Sequence, residues 1–240
     1  MDIRLDKWIA DAALCSRREA RAIAAAGRVT VNGTAVTAPD TKVDPARDEV
    51  LMDGQRLDWS AHKYILMDKP AGVLSATTDK SQPTVLDLLP AQYKKLALAP
   101  VGRLDKDTTG LLILTDDGDF AHRVISPKSD VKKVYAAETD GTPDQADICA
   151  FRQGLVLGDG TRCLPAELEI LGENRCRVTV REGKYHQVKR MLAAVGKPVL
   201  ALRRISIGLL HIDEKLGPGG FREMTAQEIK DVLTDNNALK

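Results

Sequence analysis

The stretch that most limits how this chain can fold runs from Gly102 to Leu114. Gly102-Arg103-Leu104-Asp105-Lys106-Asp107-Thr108-Thr109-Gly110 is charged and fenced by glycines, and it leads into the unbroken apolar run Leu111-Leu112-Ile113-Leu114. The apolar run predicts a buried strand. A charged loop feeding such a strand holds one carboxylate rigidly at a site mouth while the scaffold stays dry, and Asp105 is the candidate. The residues alone leave a plainer reading open, because Asp and Thr before a strand are ordinary turn formers.

A chain of 240 residues with 43% hydrophobic content can bury a real core and is long enough for more than one domain. The formal charge of +1 gives no bulk attraction for a polyanion, so only local clustering of charge is informative. Cys15, Cys149, Cys163 and Cys176 are scattered, with neither the short spacing of a metal site nor the density of a disulfide scaffold. They read as reduced, mostly packed thiols. The chain opens Met1-Asp2-Ile3-Arg4 without an apolar leader, and no run reaches the length of a membrane span, so a cytoplasmic protein with no membrane partner is expected.

Residues 1–60 read as a small unit. Leu5, Trp8, Ile9 and Ala12 recur at helical spacing, and Ser16-Arg17-Arg18-Glu19 has the form of a capping box that starts a second helix, ending at Gly27. Val29 to Val36 alternates around Asn32-Gly33, which predicts a hairpin, and Asp53-Gly54 predicts a second turn. Arg17, Arg18, Arg21 and Arg28 then lie on and just after one helix, which on charge alone is a solvated face. Around 59–63 the pattern breaks, placing a linker before a larger domain over residues 61–240.

That domain opens with the apolar stretch Tyr64 to Met67 and a turn at Lys69-Pro70-Ala71-Gly72, read as structural. A short helix is expected over Thr84 to Pro90 and another over Asp119 to Ile125, then a strand from Lys132 through Tyr135. Residues 154–160 read as a strand into a tight turn, and alternation over 167–170 and 176–180 fits an antiparallel sheet with one covered face. Between Arg181 and Arg204 the basic residues Arg181, Lys184, Lys189, Arg190, Lys197, Arg203 and Arg204 face Glu182 as the only acid, a cluster expected to meet phosphate. A helix is expected from about Tyr185, burying Val188, Met191, Leu192 and Val195. Thr225-Ala226-Gln227-Glu228 predicts a last capped helix, with fraying from Asp235.

GRLDKDTTGLL resembles the catalytic motif of the pseudouridine synthases, in the branch that modifies small-subunit ribosomal RNA. The likeness extends over nearly the whole chain. GKYHQVKRM resembles the third motif of that family, and SRREARAIAAAGRVTVNG resembles the small RNA-binding domain first found in a small-subunit ribosomal protein. The resemblance implies an α+β enzyme: a small RNA-binding domain, then a catalytic domain on a mixed, mainly antiparallel sheet with flanking helices. It implies that Asp105 is the catalytic carboxylate, that Lys189 pairs with it, that Tyr135 lies against the target base, and that Arg103 serves phosphate or the surroundings of the flipped base. RNA contacts fall to Arg17, Arg18, Arg21, Arg28, Lys184 and Arg190. Many relatives have arginine at the position of Lys189, and lysine supplies the charge without a bidentate fork.

The implied reaction turns one specific uridine of 16S rRNA, that at position 516, into pseudouridine. Breaking the glycosidic bond leaves positive character on the sugar and negative charge on uracil. One ionised carboxylate beside the anomeric carbon serves as nucleophile or base, and a cation against it favours its charged form. Neither metal nor organic cofactor is required. A paired base hides its target atoms, so the nucleotide must be extruded onto a stacking surface such as Tyr135. The partner expected is 16S rRNA, naked or within a ribosome-assembly intermediate, met by a monomer. Two other classes stay open: a glycosidase using Asp105 with Asp107, and a non-catalytic rRNA-binding or assembly factor.

Overall fold

The computed structural model describes residues 2–234, so the expected fraying from Asp235 lies outside the described residues. Two compact units are found, one formed by residues 1–62 with 90–96, the other by residues 63–89 with 97–240.

In the smaller unit, β1 (Ile3–Arg4) leads into α1 (Leu5–Ala12), whose Leu5, Trp8 and Ile9 are buried. Helix α2 (Arg17–Ala25) starts at the predicted capping box: the Ser16 amide donates to Glu19 Oε2 (2.7 Å) and the Glu19 amide to Ser16 Oγ (3.2 Å). Such a cap stabilises a helix by about 1 kcal/mol. Strands β2 (Val29–Val31) and β3 (Thr34–Ala35) pair across Asn32-Gly33, where both residues are left-handed (φ 52° and 79°), as a tight hairpin needs. After β4 (Lys42–Val43), which pairs with β1, strands β5 (Val50–Met52) and β6 (Gln55–Arg56) repeat the device at Asp53-Gly54. The helices and the sheet β3-β2-β5-β6 share one core with Ala20, Ala24, Val29 and Val50.

The larger unit is built on β7 (Tyr64–Lys69), β8 (Ala99–Pro100), β9 (Thr109–Thr115), α3 (Gly118–Ile125), β10 (Lys133–Thr139), α4 (Gln145–Gln153), β11 (Glu167–Gly172), β12 (Arg175–Val180), α5 (Gln187–Ala194), β13 (Val199–Ile207), β14 (Leu210–His211), β15 (Phe221–Glu223) and α6 (Ala226–Leu233). The main sheet path is β11-β12-β10-β13-β9-β7-β15, with β8 beside β9 and β14 beside β13. Every pairing is antiparallel except β13 with β9, so the sheet is mixed and mainly antiparallel, as expected. The apolar run in β9 is fully buried. Phe151 of α4 and Met191 and Leu192 of α5 form one core with β10 and β12, whereas Phe120 and Val124 of α3 and Val232 of α6 form another with β7 and β9.

Locally the structure adds to the sequence expectations and corrects some of them. Residues 145–153 form a helix, capped by Asp144, whose carboxylate accepts from the amides of Ala146 and Asp147. No strand runs from 154 to 160; the segment is a turn with a single bridge, Val156 to Arg162. Val85–Leu88 is a 3-10 turn. Helix α5 begins at Gln187, because His186 is left-handed (φ 47°) and closes a turn from Lys184 before the first helical turn. Cys163 and Cys176 are buried, Cys15 is half-buried and Cys149 is exposed, all as free thiols. Among the described residues no helix is long and apolar enough to cross a membrane.

Candidate active site

The loop from Gly102 to Thr108 hangs between β8 and β9, and its backbone is fixed from three sides. Ser75 Oγ accepts from the Leu104 amide (3.0 Å) and donates to the Leu104 carbonyl (2.9 Å). The Gly72 amide donates to the Lys106 carbonyl (2.8 Å). Lys69, fully buried at the end of β7, donates its ammonium to the carbonyls of Pro70 (3.0 Å), Lys106 (3.3 Å) and Thr108 (2.9 Å). Burial pushes the Lys69 ammonium down to about 8, opposed by the charges of Asp107 and Asp105. The Lys-Pro-x-Gly turn is thus the clamp that sets the height of the loop.

Downstream, close backbone approach seats the loop on the sheet. β13 runs parallel to β9, with Arg203 opposite Thr109 and Arg204 opposite Gly110. A side chain at Gly110 (φ 101°) would put its Cβ 2.2 Å from the Arg204 carbonyl oxygen, so only glycine fits. Across β9, Arg203 reaches Asp68 of β7 with both guanidinium nitrogens (3.0 and 2.8 Å).

At the tip, Asp105 meets the start of α5. Its Oδ2 lies 3.2 Å from Lys189 Nζ and its Oδ1 3.4 Å from His186 Nε2, while Lys189 also donates to Asp107 Oδ1 (2.5 Å). The pairing of Lys189 with Asp105 is therefore present in the geometry, with Asp107 as an additional partner. That hydrogen bond, more than any other effect, holds the Asp107 carboxyl below its usual range. Burial alone would lower the Lys189 ammonium, but the bonds to Asp107 and Asp105 outweigh it and raise the group. The two carboxylates thus share one ammonium, whereas a two-carboxylate glycosidase needs one carboxyl kept protonated as the general acid.

Asp105 opens onto a cleft of about 1020 Å³, lined also by Arg103, Lys133, Tyr135, His186 and Arg204. Arg103 is exposed there. Tyr135 on β10, opposite Val178 and near Arg204, lines the cleft with part of its ring packed against the β10–β12 core. His186 was not singled out by the sequence reading, although the motif GKYHQVKRM contains it; its ring stacks on Tyr185 at 3.8 Å, and Tyr185 is 75% exposed.

The basic stretch from 181 to 204 is far less free than its sequence implies. Arg181 pairs with Asp130, Lys184 with Glu182, Arg190 with Asp159, and Arg203 with Asp68. Lys184 also donates to the Arg162 carbonyl (2.7 Å). In the smaller unit Arg4, Arg17 and Arg21 converge on the Asp6 carboxylate, each at 3.1 Å, and that side chain has no solvent exposure. Burial would raise the Asp6 carboxyl, but hydrogen bonds from Arg4 and Arg21 and the charge of Arg17 hold it low. Arg28 is bound to Asp53, and Arg18 stands exposed on α2. Asp6 thus orders a fan of half-exposed guanidiniums that sequence reasoning missed.

Comparison with known proteins shows what the chain as a whole is similar to. Residues 63–194 match the family model described as RNA pseudouridylate synthase, and residues 3–50 match the S4 domain. The chain is 41% identical to an uncharacterized RNA pseudouridine synthase of Bacillus subtilis, over 95% of this chain and 97% of that one. It is 40% identical to ribosomal small subunit pseudouridine synthase A of Vibrio cholerae, over 96% of this chain and 99% of the relative. A crystal structure of a pseudouridylate synthase matches at 35% identity with a TM-score of 0.68, covering 96% of this chain and 99% of that one. With the family model matching residues 63–194 and relatives of about 40% identity matching nearly end to end, this chain belongs to the RNA pseudouridylate synthase family.

Proposed function

We propose that the chain isomerises one uridine of 16S rRNA to pseudouridine, that at position 516, and that Asp105 is the catalytic carboxylate. The observation that carries this reading is the Asp105 carboxylate held at the cleft against Lys189 and His186 on a loop whose backbone is fixed by Lys69 and Ser75. The relatives named for the ribosomal small subunit support the choice of RNA.

The reaction breaks the bond from C1′ to N1 and forms one from C1′ to C5. The C5 proton is lost and N1 takes one up, so no atom is gained overall and no electron passes to another molecule. Asp105 enters as a nucleophile, on the sugar or on the base, and its rigid mounting lowers the cost of reaching the reacting carbon. Lys189 keeps negative charge on the carboxylate balanced while the sugar becomes positive. Tyr135 stacks on the extruded base, and Arg103, free at the cleft, meets the backbone phosphate beside it. Arg18 with the Asp6-ordered arginines contacts phosphate and positions the RNA without reading its bases, as do Arg28, Lys184 and Arg190. Naked RNA and an assembly intermediate are both candidate substrates for a monomeric enzyme.

The test uses purified protein and 16S rRNA made with uridine tritiated at carbon 5, because only pseudouridine formation releases that tritium to water. One equivalent released per RNA, from an oligonucleotide containing position 516, is the expected result. Release from another segment would reassign the site, and no release from naked or assembling 16S rRNA would remove the small-subunit reading.

A further inference from the structure

The floor of the cleft holds two cations that the carboxylate chemistry leaves unexplained. Arg204 is 3% exposed and Lys133 8% exposed, and both line the cleft. Arg204 gives its Nε to the Leu111 carbonyl (2.8 Å), while its buried Nη2 has no partner among the described residues. Lys133 donates to the Val124 carbonyl (2.9 Å). Burial first, and the charge of Arg204 second, bring the Lys133 ammonium down to about 8. A second orphan, the buried Thr108 hydroxyl, lines the same cleft. The buried carboxylate nearby in the lining, Glu182, is already occupied by the Leu164 amide (2.9 Å), Gln187 Nε2 (2.8 Å) and Lys184.

Two buried cations that repel each other, one with an unmet donor, are costly unless an anion comes to them. The proposed reaction makes such an anion in the cleft. When the C1′–N1 bond breaks, its electron pair stays on the uracil ring and spreads onto the carbonyl oxygens O2 and O4. The pair then returns as C5 bonds to C1′. We infer that Arg204, seconded by Lys133 and Thr108, is a catalytic residue that donates to a uracil carbonyl and stabilises the detached base. The planar guanidinium suits the edge of a planar base, and its fixing by Leu111 means little reorganisation is needed at the moment of cleavage.

This inference rests on the pseudouridine synthase reading, so it is tested on the RNA from which wild-type enzyme releases tritium. Wild-type release tests that reading, and the ratio between wild type and variant tests the inference. Single-turnover rates at saturating enzyme are compared for wild type, Arg204→Gln, Arg204→Lys and Lys133→Met, on RNA carrying uridine, 2-thiouridine or 4-thiouridine at the target. Arg204→Gln should slow the step by about 100-fold or more while RNA affinity stays within about threefold. Arg204→Lys and Lys133→Met should lie between. Sulfur is a poor acceptor, so one of the two thio substitutions should slow wild type and leave Arg204→Gln no slower than on uridine. A merely structural Arg204 gives losses that multiply for both thio substrates. That outcome, or a folded Arg204→Lys and Lys133→Met each within threefold of wild type, overturns the inference.

Discussion

Replacing Lys189 with Met removes the cation that joins Asp105 to Asp107 and leaves two carboxylates facing each other. At 3.2 Å and an effective dielectric of about 20, the gross attraction of Lys189 for Asp105 is about 5 kcal/mol. Both side chains are partly solvated, 22% and 24% exposed, and Lys189 divides its donors with an Asp107 that is 75% exposed. The net value therefore falls towards that of a charge-assisted hydrogen bond, about 2 kcal/mol. If that stabilisation is realised in the transition state, Lys189→Met lowers the single-turnover rate by roughly 30-fold. Lys189→Arg keeps the charge and adds a fork able to span both carboxylates, so it should recover most of the loss. The assay is tritium release at saturating enzyme, alongside RNA affinity by filter binding. A Lys189→Met rate within threefold of wild type, or a loss wholly explained by weaker RNA binding, would refute the reasoning.

Asp6→Asn should destabilise the smaller unit, seen as an early transition in urea. Because the Asp6 carboxyl is held below its usual value, the stabilisation is complete above the unfolded value of about 3.9 and fades as the pH falls below it. The gap between variant and wild type should therefore close in acid, and a gap that persisted there would point to packing instead. Lys69→Met takes two hydrogen bonds from the loop backbone, at Lys106 and Thr108, and a third from Pro70, so amides of residues 105–109 should exchange faster with deuterium and the rate should drop about 10-fold; unchanged exchange would show that Ser75 and Gly72 suffice. Arg18→Glu should weaken RNA binding, flatten its salt dependence and spare the saturated rate. The same reversal at Arg17 or Arg21 should cost stability as well, since both hold Asp6, and equal unfolding curves for all three would contradict the fan of arginines.

Legibility in the sequence followed the range of the interaction. Asn32-Gly33, Asp53-Gly54, Ser16 with Glu19 and Thr225 with Glu228 act over two or three residues, so turn and cap chemistry alone located them. The apolar run after Gly110 announced the buried strand for the same reason. Asp105 was found through motif resemblance, since a lone Arg-x-Asp is equally at home in an ordinary turn. The ion pairs of the charge run from Arg181 to Arg204 were not legible, because its partners Asp130, Asp159 and Asp68 are remote in sequence and only the fold brings them near. Helix α4 went unread because its cap is an Asp-x-x-Asp pair and its pattern, Ile148 and Phe151 among polar residues, is thin. No local pattern marks Arg204 as a buried floor residue: in a strand, burial is set by what lies across the sheet, which here is Gly110 and Tyr135.

The most direct measurement is pseudouridine mapping of 16S rRNA from cells that lack this protein, complemented with wild type or with Asp105→Ala. The prediction is that one site, position 516, loses its pseudouridine, regains it with wild type, and stays unmodified with Asp105→Ala although that protein accumulates normally. Modification persisting at every 16S site in the deletion strain, or restored by Asp105→Ala, would contradict Asp105 as the catalytic carboxylate of a small-subunit enzyme.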